Sequence, residues 1–133
     1  MNEKFTALIE YRLEQAAESI ESAQTLFEKA LFRSSINRSY YAMFYAALAL
    51  LVIVKKKSSK HSGVTSLFDK EYIQTGIFDK QYSKWLHDAF NLRQLADYRE
   101  MYIVSKKYAN TVLENSKKFL KEVKRYLDAK LRH

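Results

Sequence analysis

Two clusters of side chains in this sequence could do chemistry on a phosphate. The first is Arg93, Asp97 and Tyr98 in NLRQLADYRE. Arg93 and Asp97 are four residues apart, so on a helix they share a face. A carboxylate placed there orients a guanidinium, whose planar fork of N–H donors matches phosphate oxygens. Tyr98 adds a ring on which a base could stack. The plainer alternative is an intrahelical ion pair, about 0.3–0.5 kcal/mol if exposed. The second cluster is Asn37, Arg38, Ser39, Tyr40 and Tyr41, at the expected start of a helix. A helix N-terminus presents free N–H groups and a positive dipole, which suit an anion. Arg38 adds charge there and Tyr41 a second ring. The alternative is a capped helix start followed by core tyrosines.

Other chemistries lack their residues. Cysteine is absent, which excludes disulfides, thiolate metal sites and a cysteine nucleophile. There is no glycine-rich phosphate loop, no HExxH pair and no GxSxG elbow. His61, His87 and His133 stand at spacings that suggest no metal site, and nothing in the sequence asks for a cofactor.

The clusters must be positioned by helices. The 133 residues include no proline and only two glycines, Gly63 and Gly76, too few for the tight turns of a strand-rich fold. The expectation is one all-α domain over residues 1–133, an up-and-down antiparallel bundle of four to five helices. Apolar residues from Phe5 to Ala30, spaced three and four apart, predict a first helix over Asn2–Leu31. A second is predicted over Ile36–Val54, capped by Ser34 or Ser35. It is apolar on nearly all sides, through Ile36, Tyr40, Phe44 and Leu51 on one stripe and Tyr41, Tyr45, Leu48 and Val52 on another. Such a helix must be surrounded by protein, and part of it is expected to meet a second subunit. KKKSSKHSG, residues 55–63, reads as a loop. A third helix is expected over Val64–Gln74, stopped by Gly76, a fourth over Asp79–Tyr98 with Asp79 as its cap, and a fifth over Ile103–Leu131.

The apolar stretch Tyr40–Val54 is short for a membrane span, which needs about 20 residues, so no membrane association is expected. The lack of cysteine and a charged, helical N-terminus unlike a signal peptide lead to the expectation of a cytoplasmic location. The net charge of +8 is uneven. Residues 1–31 carry a net of −3 and residues 104–133 a net of +6. The basic segment attracts polyanions such as RNA without reading sequence, or simply forms a solvated face.

INRSYYAMFYAALALL, then KHSG before an apolar helix, then LRQLADYRE, together resemble the HEPN domain family in order and spacing over nearly the whole chain. The resemblance implies a helical bundle that dimerises and works beside a separate minimal nucleotidyltransferase, often as a toxin–antitoxin pair. Active relatives are metal-independent RNases with an arginine, a spacer of four to six residues and a histidine. Arg93 matches that arginine, but Tyr98, Arg99 and Glu100 stand at the spacer distance and none is histidine. A tyrosine that partners modify in some relatives would fall at Glu100, so that feature does not carry over either.

The leading expectation is therefore a nucleotide- or RNA-binding homodimer with phosphate contacts at Arg93, Asp97, Tyr98, Arg38 and Tyr41. The runner-up is a metal-independent RNase with an atypical acid/base residue, His87 or His61 supplied across a dimer. A ligand-free protein-interaction module is the third reading.

Overall fold

A computed structural model of the chain describes residues 3–132. The expected helix start at Asn2, and His133, lie outside the described residues. Five α-helices form a bundle, with no strand among the described residues.

Helix α1 spans Glu3–Glu28 and buries Ile9, Ala16, Ser19 and Ala23, the inner line of its apolar stripe. It ends sooner than Leu31 because Ala30 adopts a left-handed conformation (φ 60°). The N–H of Leu31 then donates to the Leu26 carbonyl at 2.9 Å and that of Ala30 to Phe27 at 2.9 Å, the glycine-type helix end without its glycine. The chain reverses so tightly that α2 starts at Phe32 and runs to Ile53, an antiparallel hairpin with α1. This corrects the capping expectation. Leu31 is the N-cap and makes no side-chain bond. Ser35 instead lies buried in the second helical turn, its hydroxyl donating to the Ala23 carbonyl of α1 at 2.8 Å. The rings of Phe27 and Phe32, 5.5 Å apart, close the turn.

At 22 residues α2 is long and apolar enough to cross a membrane by length and composition, longer than the apolar stretch read from the sequence. The added turns are polar, with Arg33, Asn37 and Arg38. More than half of its apolar window is buried inside the bundle, as a core helix requires, and α1, α3, α4 and α5 all pack on it. Its second stripe, Tyr41, Tyr45, Leu48 and Val52, packs against the core but stays only partly buried.

The loop after α2 is shorter than expected. Lys55 takes a left-handed conformation (φ 57°), and α3 begins at His61 rather than Val64, running to Phe68. It continues as a π-helical turn, Asp69–Ile73, which buries Tyr72. The Tyr72 hydroxyl donates to the Leu50 carbonyl, one of the last four of α2 and so without a helical donor. Gly76 (φ 78°) ends this segment as expected, with the Phe78 N–H donating to the Tyr72 carbonyl at 2.8 Å. Helix α4, Lys80–Tyr98, starts at its Asp79 cap, whose carboxylate accepts from the Lys80 N–H at 2.8 Å. Helix α5 covers Lys106–Leu131 and starts one turn later than Ile103, because Ser105 caps it through the Tyr108 N–H at 3.1 Å. Ile103 lies in the connection, 87% exposed.

Two substitutions test these ends. Tyr72→Phe leaves a buried carbonyl without its donor and should cost about 1–2 kcal/mol, read as a lower denaturation midpoint at unchanged m-value. Ala30→Gly relieves the left-handed alanine and should raise stability by about 0.5–1 kcal/mol in the same measurement. A destabilised Ala30→Gly would contradict this account of the α1–α2 turn.

Candidate functional site

The densest polar cluster forms where α4 crosses the first half of α2 and the start of α3. Arg93 lies on the face of α4 turned to α2, with its side chain 16% exposed. Its guanidinium sits over the rings of Tyr40 (5.7 Å to the centroid) and Tyr41 (5.2 Å). Cation–π contact of this kind stabilises a desolvated cation. Asp97, one turn on, places Oδ2 3.5 Å from Nε. That ion pair is too long and misaligned to be a hydrogen bond, and the buried Nε makes none. The guanidinium donates no hydrogen bond to any described residue.

Asp97 is held from the other side. Asn37 of α2 donates to its Oδ2 at 3.3 Å, and Arg38 reaches Asn37 Oδ1 at 3.5 Å. Arg38 also lies over the Tyr41 ring, 4.8 Å from the centroid. One tyrosine ring thus carries two guanidiniums, with one carboxylate between them, leaving an excess of positive charge.

Residues 37–41 do not form a helix start, contrary to the expectation. Because α2 begins at Phe32, these residues lie in its second and third turns, where their N–H groups serve the helix. Arg38 contributes charge without a helix N-terminus behind it.

His61 completes the cluster from the first residue of α3. Its ring stacks on Phe44 (centroids 4.3 Å apart, planes 14° apart), and Nδ1 lies 2.7 Å from the Tyr40 hydroxyl. Burial, then the nearby Arg93 charge, lowers its pKa below the ordinary 6.5, so the ring is neutral at neutral pH. Burial likewise pushes the Tyr40 phenol up, with Arg93 pulling the other way and Tyr41 adding to the rise, so it keeps its proton. If Tyr40 donates to Nδ1, the ring presents Nε2–H as a donor. With the hydroxyl turned, Nδ1–H donates and Nε2 is free to accept a proton. The KHSG glycine explains how His61 gets there. A Cβ on Gly63 would lie 2.0 Å from Ser58 Oγ and 2.7 Å from Ser58 Cβ, so only glycine lets the 55–60 loop fold back over this helical turn.

Of the residues singled out in the sequence, the structure brings Arg93, Asp97, Arg38 and Tyr41 together. Tyr98 stays apart, 73% exposed at the end of α4. His87 is also elsewhere, its Nε2 2.8 Å from Asp69 Oδ2, and Asp69 Oδ1 accepts from Ser83 at 2.7 Å. His61 belongs to the same chain as the Arg93 it faces and need not come across a dimer. Tyr40, read as core, is both core and the partner of His61. No spacing rule joins residues 40, 61 and 93; the KHSG segment was the only sequence signal.

The family model for the HEPN domain matches residues 9–126. A Methanocaldococcus jannaschii protein named "Putative toxin MJ0142" is 33% identical over 130 residues, covering 98% of this chain and 88% of its own. A Thermotoga maritima protein named "UPF0332 protein" is 35% identical over 129 residues, covering 97% and 92%. A second M. jannaschii protein, "Putative toxin MJ0605", is 34% identical over 98 residues, covering 74% and 73%. The match to the family runs from within α1 to within α5 and so takes in every helix that builds the Arg93 cluster: the chain belongs to the HEPN domain family.

Proposed function

We propose that this chain is the HEPN component of a toxin–antitoxin-type pair and that its Arg93 cluster binds the phosphate of a nucleotide or RNA. One observation carries the reading. The Nε–H of Arg93 is buried without a hydrogen bond and its terminal nitrogens donate to no described residue, so the guanidinium keeps donors that an anion arriving from solvent would engage. Asp97 sets a carboxylate 3.5 Å from its Nε, Arg38 adds a second cation and Tyr41 offers a ring edge to a base. The toxin names of two relatives support the wider role. A separate nucleotidyltransferase protein is the partner that the family suggests, and the cytoplasm is the compartment that suits such a pair. The partly buried stripe Tyr41, Tyr45, Leu48 and Val52 is the face we assign to a homodimer.

The test is binding of a short labelled single-stranded RNA and of ATP to the full chain. Affinity should fall with salt, with a log–log slope of about 0.7 per phosphate neutralised on RNA. Arg93→Gln should weaken it about 30-fold, roughly 2 kcal/mol. Arg93→Met should bind no better, yet fold with equal or greater stability, since an apolar side chain relieves the unsatisfied cation. Salt-independent binding, or full affinity in Arg93→Gln, would refute the reading.

His61 favours a second reading, metal-independent RNA cleavage. Its Nε2 would take the proton of a ribose 2′-hydroxyl as that oxygen attacks phosphorus. The 5′-oxygen would leave with a proton from solvent, and Arg93 would stabilise the charge on the phosphoryl oxygens. Cleavage in chelator that leaves a 2′,3′-cyclic phosphate and is lost in His61→Gln would establish it. Intact RNA would leave binding alone.

The protonation state is testable directly. The folded chain favours neutral His61, so its contribution to stability is full above about pH 6.5 and is lost as pH falls through the lowered folded pKa. By NMR its ring should titrate below 6.5, and Arg93→Gln should raise the midpoint only part of the way, because burial remains. A wild-type midpoint at or above 6.5 would contradict this placement.

A further inference from the structure

Helices α4 and α5 touch only sparsely, and a groove runs between them on a face of α4 turned away from Arg93. Its upper part is a cleft of about 370 Å³ with walls that include Trp85, Leu92, Leu95, Tyr102 and Tyr108. Met101 and Ile103, on either side of Tyr102 in the chain, are 95% and 87% exposed. With Tyr102 between them lining the cleft, they extend its apolar surface along the α4–α5 connection. Trp85 also borders a second depression of about 470 Å³, where Lys118, Lys121 and Arg125 of α5 gather.

The charges of this groove are unevenly matched. Asp88 is neutralised by Lys84 at 2.7 Å, and Arg125 is taken by Glu122, whose pKa that contact lowers. Lys118 and Lys121 have no carboxylate partner among the described residues; Lys118 only approaches the Trp85 ring, at 6.0 Å. Lys106 and Lys107, beside Tyr108, have none either. The groove is therefore apolar along its floor at one end and positively charged along its α5 edge.

From Gln81 to Leu95 its α4 wall spans 15 residues, about 21 Å end to end at 1.5 Å per residue. We infer that this groove docks an acidic amphipathic helix of a partner protein, of about four turns. Its apolar side chains would seat against Trp85, Leu92 and Leu95 and its carboxylates against Lys118 and Lys121. Grooves between helices take helices in this way, with anchors at i, i+3/4 and i+7. A polyanion such as RNA would satisfy the lysines but leave Leu92, Leu95, Met101 and Ile103 uncovered, so the apolar end decides for a protein. This surface is separate from the phosphate cluster, and the inference does not rest on it.

Trp85 is the only tryptophan of the chain, so its fluorescence reports on the groove alone. The probe is a synthetic helical peptide with a leucine stripe and glutamates elsewhere, free of tryptophan and tyrosine. It is titrated into the full chain beside a counterpart with lysine in place of each glutamate, and beside single-stranded RNA. The acidic peptide should change Trp85 emission saturably at micromolar concentration, and the basic one should bind about tenfold or more weakly. Lys118→Glu with Lys121→Glu should reverse that preference, and Leu95→Ser should weaken the acidic peptide about tenfold. All three positions are exposed, and circular dichroism will confirm that the variants fold. Four results would overturn the proposal. They are no saturable response to the acidic peptide, equal binding of both peptides, a Trp85 response to RNA in place of the peptide, and emission that follows self-association of the protein alone. The last would assign the groove to a second copy of the chain. RNA affinity of Arg93→Gln, measured in parallel, separates a failure here from a failure of the phosphate site.

Discussion

A helix that is apolar on nearly every side is satisfied only by enclosure, and α2 sets that demand for the whole chain. Eleven of its residues are buried, from Ser35 to Leu51, and four other helices supply the walls. Small side chains at Ala42, Ala46, Ala47 and Ala49 let those walls come close. At about 1.5–3 kcal/mol for each fully buried large side chain, no other element contributes as much to the core. The termini of α2 show how strictly it is held. Its C-terminal Leu50 carbonyl is satisfied by Tyr72 from the π-helical turn, and Ser35 ties its second turn to α1.

Enclosure explains the stability but makes Arg93 an exception that needs a cause. A guanidinium only 16% exposed takes a cation largely out of water, so it must find compensation. The faces of Tyr40 and Tyr41 give part of it and Asp97, at 3.5 Å, another part. Neither provides a hydrogen bond. A purely structural arginine would be expected to sit in a bidentate carboxylate pair, as Arg125 does with Glu122 on the surface. The contrast between these two arginines is the strongest reason to read Arg93 as functional.

Much of this was legible in the sequence. The paucity of glycine and proline, and the stripes of the first and second helices, were enough for an all-α bundle around a central helix. The spacing of Arg93 and Asp97 placed them on one face, and they do meet. What was not legible follows from the same scarcity of glycine. Left-handed helix ends are read from glycine, but here Ala30 and Lys55 adopt that conformation, and Met101 does so after α4 (φ 59°). The helix boundaries inferred around them were off by up to a turn. That error mattered for the site. It placed Asn37–Tyr41 at a helix start where they are not, and left His61 in a loop when it heads α3. Contacts such as Tyr40–His61, 21 residues apart, are set by how the helices pack, which a local pattern does not encode.

Helix α4 ties these features together, because it has two working faces. One carries Arg93 and Asp97 against α2; the other, with Trp85, Leu92 and Leu95, borders the open groove. Packing against α5 is sparse, so the position of α4 is fixed mainly by its contact with α2. Close-packed side chains do not deform smoothly; they shift as units. Anything that moves α4 as a rigid body relative to α2 therefore changes the distance from Arg93 to the Tyr40 and Tyr41 rings, to Asn37 through Asp97, and to His61 together. The Arg93 cluster is consequently only as well ordered as the α2–α4 contact. Of that contact, the one polar bond that crosses is Asn37 to Asp97, at a long 3.3 Å. A site held chiefly by aromatic contact and a single long hydrogen bond is one whose geometry an anion, by bridging Arg38 and Arg93, would tighten rather than merely occupy.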